Sequence, residues 1–141
     1  AMRAKLHAAV LFVSTAAIFS GCGATKDISG ASDAVTTFHA RLDSGDYTTI
    51  YSQADQVFRN ASKQQEFLEF MAAIHRKLGR VNSAKQERFF VNYTTSGTRV
   101  RLNYTTKFTG GDAEEEFVWA KSGNDYTLAG YHINSMALIT K

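Results

Sequence analysis

The chain has 141 residues, 16 Lys and Arg against 13 Asp and Glu, a formal charge of +3, and a single cysteine, Cys22. One cysteine excludes an internal disulfide, so stability has to come from packing, for which ten Phe, six Tyr and Trp119 supply large apolar area. Arg3 and Lys5 stand in a leader-like segment; without them 14 cations face 13 anions, interspersed along the chain, and this near-balance excludes nucleic acid as a partner.

Met2, Arg3 and Lys5 make a short cationic start, and an apolar run from Ala8 to Phe19 follows it. This is the layout of a secretory signal, and the run falls short of the ~20 residues that cross a bilayer. Ser20 and Gly21 then lead into Cys22 and Gly23. The stretch from Ala16 to Gly23 resembles the lipobox of bacterial lipoproteins, with Phe19 where Leu, Ile or Val is commonest. The resemblance implies a cleaved signal peptide over 1–21, a diacylglycerol on the Cys22 thiol and an acylated new amino terminus. Acyl chains contribute ~0.8 kcal/mol per buried methylene, so two or three hold a protein on a membrane. Gly23 in place of an Asp implies the outer membrane, on its periplasmic face. An ordinary cleaved signal with a stray thiol is the alternative reading.

Residues 22–31 are small and polar with no apolar period, which predicts a flexible tether. A single domain over 32–141 follows. Ser32 is read as the N-cap of a helix carrying Val35, Phe38 and Leu42, stopped at Asp43-Ser44-Gly45. Asp46 is expected to cap a second helix with Tyr47, Ile50, Tyr51, Ala54, Val57 and Phe58 inward. A third opens at Ser62 with Gln65 as a capping box, carries Phe67, Phe70, Met71, Ile74 and Leu78, and ends at Gly79. Beyond Gly79 the period becomes two. Four strands are expected, with Phe89, Val91 and Tyr93 on one face of the first and Val100, Leu102, Tyr104 and Phe108 on one face of the second. The third centres on Phe117 to Ala120 and the fourth on Tyr126 to Ser135, with turns at Ser96-Gly97, Gly110-Gly111-Asp112 and Ser122 to Asp125. Three helices packed on a curved four-stranded antiparallel sheet make an α+β fold.

The stretches Leu42 to Tyr47, Lys77 to Val81 and Leu128 to Ser135 resemble the nuclear transport factor 2-like superfamily, and more narrowly a family of bacterial envelope proteins. The resemblance implies a cone-shaped fold with a cavity between sheet and helices. Enzymes of that superfamily place an Asp base, an Asp-His pair or a Tyr-Asp oxyanion hole there, and none of these motifs maps residue by residue onto this chain.

Phe70, Ile74, Tyr104, Trp119, Tyr131 and His132 are the residues expected to line such a cavity, with ordinary core packing as the plainer reading of the aromatics. His132 faces either the cavity or solvent, and His39 and His75 lie beside helix stripes. Asp55 is placed on the second helix off its stripe, and the other Asp residues at caps and turns. No three ligand residues show metal spacing, so neither a metal nor a cofactor is expected. Glu114-Glu115-Glu116 reads as a solvated strand end. Arg88, Arg99, Arg101 and Lys107 alternate with the apolar set and predict a basic outer face, which is either a docking surface or the ordinary solvated side of a sheet. The expectation is a lipid-anchored, non-catalytic interaction module that meets another envelope protein and is open to homodimerisation. A small apolar ligand carrier and an isomerase- or dehydratase-like enzyme are the alternatives.

Overall fold

The structure, a computed structural model, describes residues 22–140. The signal segment over 1–21 lies outside the described residues. In order come α1 (Cys22–Ser44), α2 (Tyr47–Ser52), α3 (Gln56–Ala61), α4 (Gln64–Leu78), β1 (Val81–Thr94), β2 (Gly97–Phe108), β3 (Gly111–Ser122), β4 (Asp125–Asn134) and α5 (Met136–Thr140). The strands form an antiparallel meander in the order β1-β2-β3-β4, with the helices packed on one face. This is the expected α+β architecture.

The core lies between α1, α4 and the inner face of the sheet. Val35, Phe38 and Leu42 of α1 and Phe67, Met71, Ile74 and Leu78 of α4 meet Val100, Leu102, Tyr104, Phe108, Phe117, Trp119 and Leu128. Phe117 is its centre: its ring packs edge-on against Phe38 at 5.1 Å and Tyr104 at 5.9 Å, and stacks with Trp119 at 6.0 Å. Edge and offset packing of this kind suits the ring quadrupoles.

Three boundaries differ from expectation. Residues 22–31 are helical, so the flexible tether is corrected: α1 runs 23 residues as one helix. Its buried stripe begins with Asp27, followed by Ala31, Val35, Phe38 and Leu42. A carboxylate holds the first inward position, and a hydrophobic period passes over it. Ser32 lies within α1 instead of capping it, and its hydroxyl meets the Tyr104 hydroxyl at 2.9 Å. Gly30 is half-buried against the sheet. A Cβ there would sit 2.2 Å from the Tyr126 ring, so the close approach of α1 to β4 requires glycine.

The second predicted helix is two short ones. Asp55, read as a mid-helix residue, caps α3 by accepting from the Val57 amide, and its own amide donates to the Leu128 carbonyl of β4. The capping box at Ser62 does not form. Lys63 occupies the N-cap of α4 without a side-chain cap, while Ser62 closes α3. Gly79 does end α4, at φ 75°, where a side chain would be strained and would meet Thr109. The short α5 went unforeseen; Ser135, buried after β4, bonds the Asp112 carbonyl and accepts from the Ala137 amide.

Candidate functional site

The residues expected to line one cavity are dispersed. Ile74, Tyr104 and Trp119 are core residues, buried to 1%, 6% and 5% exposure. Phe70 is exposed, because it lies on the flank of the stripe made by Phe67, Met71, Ile74 and Leu78, and only the edge of its ring reaches Tyr131, 6.4 Å away. Tyr131 points inward among Phe38 and Phe117. His132 is exposed on the opposite, outer face of β4, since neighbouring residues of a strand face opposite sides. The interior of the cone at Phe117 is occupied by side chains.

At the heart of that packing sits a polar cluster. His39 of α1 is buried, and its Nε2 meets Glu115 Oε1 at 2.7 Å; the Tyr131 hydroxyl donates to Glu115 Oε2 at 2.5 Å. Glu115 is 1% exposed. The rings of Phe38, Phe108 and Phe117 border His39. Burial and the neighbouring Glu115 carboxylate push the Tyr131 phenol well above its ordinary value, so it stays a donor. Each carboxylate oxygen of Glu115 is thus taken up internally. Glu115 was read as part of a solvated acidic run; that reading is corrected for it, while Glu114 stays exposed. The signal was present in the period of two, because Ala113, Glu115, Phe117 and Trp119 alternate onto one buried face.

A second polar cluster joins the start of α1 to the sheet. Asp27, 2% exposed, accepts from Lys121 Nζ at 2.7 Å, from the Tyr126 hydroxyl at 2.5 Å and from the Tyr93 hydroxyl at 3.1 Å. Burial alone would raise its pKa, but the hydrogen bonds from Lys121, Tyr126 and Tyr93 outweigh it and hold the carboxyl below its ordinary value. Burial and Asp27 push Tyr126 up to about 12. Three strands therefore grip one helical residue five positions after Cys22, which is itself exposed.

Between α1 and the β3–β4 end of the sheet lies an open groove. One part, of 660 Å³, is bordered by Cys22, Lys26, Ser29, Asp33 and Lys121. The adjoining part, of 710 Å³, is bordered by Phe38, Arg41, Ile50, Gln53, Trp119 and Leu128, and the two share Gly30, Asp33, Asn124 and Tyr126. Trp119 is nearly buried in its wall, and its Nε1–H finds no acceptor among the described residues.

The outer face of the sheet carries Arg88, Arg101 and Lys107 exposed and Arg99 half-buried, as the alternation predicted. It is mixed in charge, not purely basic: Glu116 lies 3.8 Å from Arg101 and accepts from the Asn103 amide, beside Glu114 and His132. Among the described residues no three His, Cys, Asp or Glu side chains are grouped to hold a metal, and no helix is long and apolar enough to cross a membrane.

Residues 34–131 match the model of a family described as a protein of unknown function, DUF4019. The chain belongs to the DUF4019 family. The matched span encloses His39, Glu115 and Tyr131 and begins after Asp27. A crystal structure of a candidate NTF2-like transpeptidase from Campylobacter jejuni superposes with a TM-score of 0.52 at 17% identity, over 70% of this chain and 95% of that one. At that identity the likeness shows the fold alone, and the DUF4019 domain here has an NTF2-like fold. No curated protein matches the chain in sequence.

Proposed function

We propose that the mature chain begins at Cys22, carries lipid on that residue, and acts as a non-catalytic recognition domain held at the bacterial envelope, on the periplasmic face of the outer membrane. The observation that carries this reading is the position of Cys22: the cysteine to which the signal-like segment leads is exposed, five residues before a buried clamp. A lipid there is joined to the domain through one helix. The occupied cone supports recognition over catalysis, since Glu115 spends both carboxylate oxygens on His39 and Tyr131. The partner on this reading is another envelope protein. Cys22→Ser tests the anchor. Wild-type protein is expected in the membrane pellet and the variant in the soluble periplasmic fraction; the same distribution for both contradicts the reading.

One observation favours small-ligand carriage as a second reading. The groove walled by Trp119 is of a size that suits a small molecule, and its wall buries an indole donor without an acceptor among the described residues. Trp119 is the only tryptophan, so a bound ligand is expected to change the protein's intrinsic fluorescence, and an Arg41→Glu variant is expected to alter that response. Emission unchanged across a panel of envelope-derived small molecules counts against carriage.

A further inference from the structure

An exposed aromatic patch lies on β1. Among the described residues the order of the sheet leaves one side of this strand unpaired, and Phe89, Phe90 and Tyr93 on it are 60%, 61% and 58% exposed. Long apolar edges are ordinarily blunted, by charges, proline or bulges. Here irregularities fall between Val81 and Ser83 and between Gln86 and Arg88, both toward the start of the strand. From Arg88 to Thr94 the strand pairs regularly with β2, residue for residue, from Asn103 back to Gly97. That regular segment is the part able to accept a further strand.

Its sequence is self-complementary. An antiparallel copy centred on the middle residue, Val91, sets Phe89 opposite Tyr93 of the second copy, Tyr93 opposite Phe89, Phe90 opposite Asn92, and Arg88 opposite Thr94. Two aromatic pairs then flank a Val–Val pair on one face, the kind of cross-strand contact that stabilises sheets. No like charges meet within the segment. The only charged side chain in it, Arg88, faces a threonine. Aromatic side chains present 150–250 Å² each, so three at these exposures bring roughly 350 Å² per copy, and the paired backbone lifts the total toward ~1,000 Å², the lower bound for a specific interface.

We propose that two copies of this chain associate through β1, edge to edge, to give one continuous eight-stranded sheet. The association leaves the Trp119 part of the groove open, because no residue of β1 lines it. It also places both Cys22 residues near the middle of the pair, since a side chain added at the neighbouring Gly23 would come within van der Waals contact of the Tyr93 hydroxyl at the end of the paired segment. The proposal does not require lipid on Cys22.

Sedimentation velocity of the full chain, as wild type and as Phe89→Glu, is the test. The wild type is expected to show a monomer–dimer equilibrium, and Phe89→Glu to weaken it at least tenfold. Val57→Glu, at an exposed apolar position on α3, is expected to leave it unchanged. Register is read by cysteine pairs in a Cys22→Ser background: a mixture of Phe90→Cys and Asn92→Cys chains is expected to cross-link, and either chain alone is not. A chain that stays monomeric at high concentration overturns the proposal, as does a dimer untouched by Phe89→Glu or cross-links confined to the unmixed chains.

Discussion

Replacing Asp27 with alanine is expected to lower the unfolding free energy by about 2–4 kcal/mol, because it strands a lysine and two phenol donors that converge on one buried carboxylate. The lower part of that range reflects Lys121, a third exposed and still partly hydrated. Asp27→Asn keeps the acceptor for Tyr126 and is expected to cost less. The loss carries a pH signature. The folded pKa of Asp27 lies below the ordinary 3.8, so its contribution is complete above that value and is lost as pH falls through the folded pKa. Tyr126 has the opposite sign: with its pKa raised to about 12, its contribution is complete below 10 and fades as pH climbs toward 12. Urea midpoints of wild type and Asp27→Asn are therefore expected to converge at both extremes and to stand furthest apart near neutrality. A gap that does not change with pH contradicts the clamp.

Removing Glu115 is the second large effect. Glu115→Ala is expected to cost about 3–5 kcal/mol, because His39 and the Tyr131 hydroxyl lose their partner inside the aromatic core and a cavity opens beside Phe117. Glu115→Gln is expected to retain most of the stability. Its carboxamide oxygen accepts from Tyr131, and its NH2 donates to His39 Nε2 when the ring proton sits on Nδ1. Chemical denaturation of the two variants separates the possibilities. If glutamine costs as much as alanine, the carboxylate charge itself is required; if alanine costs under about 1 kcal/mol, the cluster does not organise the core.

Both clusters show how far the sequence can be read. The meander, its turns and the stripe of α4 follow from periodicity and glycine positions: Gly97, Gly111 and Gly123 all adopt positive φ at the expected turns, and Gly79 closes α4. What escaped was polar residues in apolar positions. Asp27 and Glu115 each occupy an inward site on an otherwise apolar face, and a reading that looks for hydrophobic residues assigns such sites to solvent. Their partners come from Tyr93, Lys121 and Tyr126 in one case and His39 and Tyr131 in the other, 66 to 99 residues away for all but Tyr131, so local sequence carries no trace of the pairing. The same blindness explains the mistaken tether, whose residues 22–31 become helix because Asp27 is bound and Gly30 admits Tyr126. The split of the second helix at Gln53 to Asp55 has another origin, a tertiary bond from the Asp55 amide to Leu128.

A clamped α1 changes what an anchor at Cys22 would mean. With a loose linker the domain would tumble above the bilayer. With Asp27 fixed to three strands, about 7.5 Å of helix at 1.5 Å per residue separates the cysteine from the body of the fold, so the β1–β2 and β3–β4 turns at that end would lie close to the lipid surface. Recognition would then occur at a set height and orientation, with the groove beginning next to the membrane.

The envelope-anchored reading depends on the chemical state of one residue in the mature protein. Mass spectrometry of tryptic peptides from envelope-derived protein reads it directly, because Lys26 releases a short amino-terminal peptide over 22–26. The account predicts that peptide with Cys22 acylated and no peptide spanning 21–22. An unmodified Cys22 thiol, or a peptide continuous from residue 21 through 22, would contradict it.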